Sequence, residues 1–235
     1  LEFRRVLFRS LINDGDCVQW GIGAIPYAVM TALGEKNDLG IHSGIFDDAG
    51  MDLVRSGVAT GKFKSVDPGL AIAASFFGRP QFYDWLEEEP SLAIRPYSYT
   101  HSPTVVANID NFISINSAVQ IDLTGQVNAE MVGSRQLSGT GGSVDFMRGA
   151  SASRGGKSII AMNASAAGGK HSRIVGKLAE GITTTALRTD IDYVVTEHGI
   201  ARLKYLPLEA RREALIEIAA PSFRDMLREQ ASGNT

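Results

Sequence analysis

Short apolar runs of strand length alternate with helical stretches and glycine-rich turns along this chain, and that alternation constrains its fold more than any other feature. Cys17-Val18-Gln19-Trp20 reads as a strand ending in the turn Gly21-Ile22-Gly23, and Pro26–Leu33 reads as the helix that follows, with proline suited to its first turn. Leu39–His42 is a second short strand. Asp48–Val54 begins a helix that stops at Gly57. Leu70–Phe76 reads as one buried strand, and Arg79–Glu88 as a helix ending before Pro90. The second half repeats the pattern with strands at Phe112–Ala118, Val119–Leu123, Ser158–Met162 and Tyr193–Thr196. Helices are expected over Val144–Ala152, Leu206–Ile218 and Ser222–Ala231. Strands alternating with helices predict an α/β fold with a mainly parallel open sheet covered by helices, whose ligands sit beyond the C-terminal ends of the strands.

Composition narrows the function classes. The formal charge is −3 over 235 residues, so no basic excess points to nucleic acid or an anionic membrane. No apolar run approaches the roughly 20 residues of a spanning helix. One cysteine, Cys17, rules out an internal disulfide framework. With no secretory signal, the expected compartment is the cytoplasm. The opening LEFRRVLFRS has neither an initiator methionine nor a clear periodicity, so residues 1–10 are expected to be a non-native leader. Residues 11–235 then form the domain proper.

Three glycine-bearing segments could carry chemistry. Gly21-Ile22-Gly23-Ala24-Ile25-Pro26 joins a strand to a helix, where exposed backbone N–H groups favour an anion. It is not a P-loop, because no GK[ST] follows, and it does not complete GxGxxG. By itself such a turn is weak evidence, since many tight βα connections need glycine without touching a ligand. Ser138-Gly139-Thr140-Gly141-Gly142-Ser143 would let a backbone approach a ligand closely and offer amides to an oxyanion, or it is a flexible turn. Ala167-Gly168-Gly169-Lys170-His171-Ser172-Arg173 combines loop character with cations suited to phosphates, or is a solvated loop. The histidines, His42, His101, His171 and His198, show no metal-ligand spacing, so no metal is expected. There is no GxSxG elbow, and Glu197-His198 after a strand is a catalytic candidate or, as the favoured reading, a structural strand-end pair.

Taken in order, GIGAIPYAVMTAL, LGIHSGIFDDAGMDLVRSG, INSAVQIDLTGQVNAEMVGSRQLSGTGGSVDFMRGA, GGKHSRIV and DYVVTEHGIARL resemble the C-terminal domain of the acetyl-CoA hydrolase/transferase family. The resemblance implies a class I CoA-transferase-like fold, with an N-terminal α/β domain absent from this chain and a homodimer as the assembly. It implies an enzyme that moves CoA between an acyl-CoA, such as acetyl-CoA, and a short-chain carboxylate, or that hydrolyses the acyl-CoA. It further implies CoA contacts on Gly21, Ile22, Gly23, Ala24, Ile25, Ser138, Gly141 and Gly142. In transferases of the family a strand-end glutamate attacks the thioester, and a carboxylate suits this step because it is both nucleophile and leaving group. The aligned residues here are His42-Ser43-Gly44-Ile45, so Gly44 stands in the glutamate's place and cannot form the adduct. His42 is the neighbouring catalytic candidate, and Asp47 could replace the glutamate if the loop folds differently. Gln120 is a second departure, where many relatives carry Glu. The contrasting expectation is a CoA-binding domain without catalysis.

Overall fold

The computed structural model describes residues 10–233, so the expected leader lies outside the described residues except for Ser10. The protein is a mixed α/β structure in which most strand pairs are parallel. It divides into two compact units, residues 1–116 with 145–158 and residues 117–144 with 159–235. Among the described residues no helix is long and apolar enough to cross a membrane.

In the first unit the strands are β1 (Cys17–Trp20), β2 (Gly40–Ile41), β3 (Ile45–Asp47), β4 (Ala71–Ala73), β5 (Ser75–Phe77), β6 (Leu92–Ile94) and β7 (Phe112–Asn116). Its helices are α1 (Ala24–Thr31), α2 (Asp48–Arg55), α3 (Pro80–Glu88), α4 (Tyr97–Thr100) and α5 (Pro103–Ala107), joined by most of α6 (Ser143–Ala152). β1 runs parallel to β2 on one side and to β7 on the other, with Val18 facing Ile41 and Ile113. Both faces of such a strand are covered, which is why Cys17 to Trp20 are buried throughout and show no polar alternation. Cys17, Val106, Ile109, Phe112, Phe146 and Ala150 pack as one core cluster. Within a close-packed core like this, cutting Phe112 back to alanine removes about 3–5 kcal/mol.

The expected strand Leu70–Phe76 is in fact two. β4 pairs in parallel with β6, and β5 in parallel with β3. The apolar run continues through the change of partner, so its pattern carries no mark of the break. An aromatic cluster fixes β3 against α3, with Phe46 6.1 Å from Trp20, 6.2 Å from Phe82 and 6.1 Å from Trp85, the last pair stacked. Lys64 is buried, and its Nζ donates to Ile41 O at 3.1 Å and Leu70 O at 2.6 Å. Burial lowers its pKa from the usual lysine value.

The second unit holds β8 (Gln120–Asp122), β9 (Val127–Asn128), β10 (Met131–Val132), β11 (Arg135–Gln136) and most of β12 (Lys157–Ala161). After these come β13 (Ser165–Ala166), β14 (His171–Ser172), β15 (Ile174–Val175), β16 (Tyr193–Thr196), β17 (Gly199–Arg202), α7 (Leu208–Glu217) and α8 (Arg224–Ser232). β12 is parallel to β16, which turns back through Glu197-His198 into antiparallel β17. β8 pairs in parallel with β15 and antiparallel with β9. Asp122 closes the turn after β8 by accepting from Thr124 N at 2.9 Å, Thr124 Oγ1 at 2.6 Å and Gln126 N at 3.1 Å. Helix α7 buries Arg211 as well as Leu215 and Ile216, because the guanidinium donates to Arg188 O at 2.7 Å and Leu206 O at 3.2 Å. A buried cation with carbonyl partners is tolerable where a bare one is not.

Candidate functional site

The turn after β1 is built by two different demands for glycine. A Cβ at Gly21 would lie 2.6 Å from Asn116 Oδ1, so a side chain there must displace the amide. That amide belongs to a buried network: Ser114 Oγ donates to Gln19 Oε1 at 2.8 Å, and Asn116 Nδ2 donates to Ser114 Oγ at 2.9 Å and Gln19 Oε1 at 3.2 Å. Gly23 is instead required by conformation, with φ 126° at the residue preceding α1. No side chain caps α1, and with Pro26 in its first turn the amides left at that end are those of Ala24 and Ile25.

Below this turn lies a cavity of ≈ 340 Å³, walled by Gly21, Ile22, Gly23 and Ala24 together with Trp20, Tyr27, Ile45, Asp47 and Phe77. Ile25, the last member of the expected contact run, is half-buried and is not part of that wall. Phe77 reaches the cavity because β5 lies beside β3 with Phe77 opposite Asp47. No spacing in the sequence announces that register, and Trp20, Tyr27, Ile45 and Phe77 do not stand out as site residues on sequence grounds.

Asp47 is the carboxylate on the wall. It also caps α2, accepting from Ala49 N at 3.1 Å and Gly50 N at 3.3 Å. Burial raises its pKa from the ordinary aspartate value, and the amide hydrogen bonds oppose that shift. The helix-capping role follows from Asp47 standing just before the run Asp48–Arg55, a signal readable in the sequence.

The loop His42–Gly44 is buried. His42 has no exposed surface; its Nε2 is 3.1 Å from Thr100 O, and its ring sits 5.9 Å from Tyr99 and 6.2 Å from Phe112. Burial, with Lys64 nearby, pushes its pKa down to about 4, so it stays neutral near pH 7. The Cys17 thiol in the same region is pushed up to about 12 by burial. Neither group is presented to the cavity wall.

Gly44 is enclosed by other side chains. A Cβ there would fall 2.5 Å from His101 Cε1, 2.7 Å from His101 Nε2 and 3.4 Å from Phe146 Cε2. The His101 ring is 4.6 Å from Phe146 and 5.1 Å from Tyr97, and its Nδ1 lies 2.9 Å from Thr100 Oγ1. Gly44 O accepts from Ser75 N at 2.9 Å, and Ser75 Oγ is hydrogen-bonded to Tyr97 OH. Burial lowers the His101 pKa, against the pull of Asp145.

In the second unit Ser138 and Gly141 are exposed and Gly142 is half-buried. Gly141 adopts φ 57°, and nothing lies within 4 Å of a Cβ placed at Gly139 or Gly141. Glu197 Oε2 accepts from Ala164 N at 2.9 Å, a contact that holds two strand ends together.

Residues 78–231 match the family described as Acetyl-CoA hydrolase/transferase C-terminal domain. The chain belongs to this family. A 4-hydroxybutyrate coenzyme A transferase of Clostridium kluyveri is 47% identical over 218 residues, which cover 93% of this chain and 51% of that protein. An acetyl-CoA hydrolase of Yarrowia lipolytica is 31% identical over 217 residues, covering 89% of this chain and 39% of that protein. The solved 4-hydroxybutyrate CoA-transferase from Porphyromonas gingivalis superposes with a TM-score of 0.86 at 40% identity, over 100% of this chain and 56% of that one. The chain thus spans about half the length of the curated relatives it matches. Acetyl-CoA hydrolase/transferase membership accords with the α/β architecture described above.

Proposed function

We propose that this chain is the C-terminal domain, residues 11–235, of an enzyme that processes acyl-CoA thioesters. The enzyme moves CoA between an acyl-CoA such as acetyl-CoA and a short-chain carboxylate, or releases it to water. The observation that carries this reading is the cavity of ≈ 340 Å³ under Gly21–Ala24. Its volume is that of a small-molecule site, its wall is mostly apolar, and it adjoins uncapped amides that favour a phosphate-bearing ligand. Relatives named as CoA-transferases and as an acetyl-CoA hydrolase support both outcomes.

Gly44 weighs on the route. If it stands where the transferases carry their glutamate, an acyl-glutamyl adduct has no attacking group there, and hydrolysis becomes the favoured chemistry. Ser138, Gly141 and Gly142 are further proposed CoA contacts. An N-terminal partner domain, a homodimer and a cytoplasmic setting without a metal belong to the same reading, on the strength of the family resemblance.

Titration calorimetry with acetyl-CoA tests it. Ala24 is exposed on the cavity wall, so Ala24→Glu leaves the fold intact and sets a carboxylate against the ligand's phosphates. At least a tenfold weaker affinity is expected. Unchanged binding by that variant removes the cavity from the proposal.

A further inference from the structure

We propose that His101 is the general base that activates water against the bound acyl-CoA thioester. This inference rests on the acyl-CoA reading above and adds a residue and a route to it. The chain has four histidines. His42 is fully buried with Nε2 committed to Thr100 O, and His171 and His198 are exposed in the second unit. His101 differs from all three. It is half-buried, it is gripped by Phe146 and Tyr97, and among the described residues its Nε2 makes no hydrogen bond.

The tautomer follows from the neighbouring hydroxyl. Thr100 Oγ1 donates to Pro96 O at 3.5 Å, so its oxygen accepts from His101 Nδ1–H at 2.9 Å. That arrangement leaves the lone pair on Nε2, the atom 2.7 Å from the Cβ position of Gly44. The next residue, Ile45, lines the cavity. His101 and Gly44 stand just behind the cavity wall, one residue back from Ile45, and a ring oriented by one partner with its basic nitrogen turned toward that loop is suited to hold a water for attack from there. The missing side chain at Gly44 and the presence of His101 are thus one feature, since any side chain there would meet the imidazole first.

The step balances without a co-reactant other than water. Water passes a proton to Nε2 as its oxygen bonds to the thioester carbon. The C–S bond then breaks, and the imidazolium returns the proton to the departing thiolate. The products are a carboxylic acid and free CoA. Three titratable groups face the ring: Asp145 and Tyr97, on α6 and α4, and His42 across Thr100. Burial outweighs Asp145, so the imidazole is neutral and basic at pH 7.

The test uses the complete reading frame that encodes this chain, measuring free CoA released from acetyl-CoA beside acetyl-CoA affinity. His101→Gln is expected to lower kcat about 100-fold, to leave the dissociation constant within about threefold, and to abolish the acid limb of the pH–kcat profile. Thr100→Val, close in shape, is expected to shift that limb and lower kcat about tenfold, and is the variant to read if His101→Gln fails to fold. Wild-type turnover and pH profile in these variants overturn the role of His101 while leaving the acyl-CoA reading standing. A wild type that binds acetyl-CoA without releasing CoA does the same. A wild type that does not bind it overturns both.

Discussion

Two groups of glycines in this protein look alike in the sequence and do opposite things in space. In the first unit Gly21, Gly40 and Gly44 stand where a side chain cannot: an added Cβ comes within 2.6 Å of Asn116, 2.5 Å of Lys64 and 2.5 Å of His101, respectively. In the second unit Gly139 and Gly141 have open space around them. The first group is required by what packs against it. The second supplies only conformational freedom, and Gly141 alone of that pair needs it, at φ 57°. Packed glycines therefore mark positions where a neighbour occupies the side chain's place, and open glycines mark a backbone without such neighbours.

The contrast can be broken or sharpened by experiment. Gly44→Ala should cost the most, about 3 kcal/mol, because the ring it strikes is held by Phe146, Tyr97 and Thr100. Denaturant unfolding of Gly44→Ala, His101→Ala and the double variant would show a coupling energy of at least 1 kcal/mol. Simple additivity would separate the two positions.

The packed side should also respond to acid. His42 titrates at about 4 when folded against 6.5 as a free side chain. Between those values the unfolded chain binds the extra proton, so this contribution is complete above pH 6.5 and is lost as pH falls through 4. It amounts to about 2–3 kcal/mol. Comparing wild type with His42→Gln from pH 7 to 4 isolates it, and parallel stability curves for the two proteins would refute it.

The open loop should respond weakly. Gly141→Ala costs about 1 kcal/mol, since an L residue is strained at positive φ. Gly139→Ala meets no atom and should shift stability by less than about 0.5 kcal/mol. A loss at Gly139 as large as that at Gly44 would end the distinction.

Much of the fold was legible because helices and buried strands leave periodic marks. Asp48–Arg55, Pro80–Glu88 and Tyr193–Thr196 form close to where the stops at Gly57 and Pro90 and a β-branched run predict them. What the sequence conceals is pairing. Leu70–Phe76 reads as one strand because a change of hydrogen-bonding partner at Ala74 leaves no chemical signature. The cavity is hidden for the same reason, since Phe77 meets Asp47 only through strand register. Gly21–Ala24 draws attention in the sequence through its glycines, and these residues lie on the cavity wall, which Ile25 does not join. His42 stands out in the sequence by adjacency to Gly44, and in the fold its side chain is fully buried. The contact of His101 with Gly44 arises only when 57 residues of chain fold back to set its ring there.

Lys64 spans two segments by giving its ammonium to the carbonyls of Ile41 and Leu70. An amine tied and covered in this way is shielded from acylating reagents until the segment carrying Ile41 and the loop His42–Gly44 lifts away. Its labelling rate, followed by peptide mass, is accordingly a gauge of how often that loop opens. If acyl-CoA binds the neighbouring cavity, the ligand should slow that labelling while leaving the exposed lysines untouched.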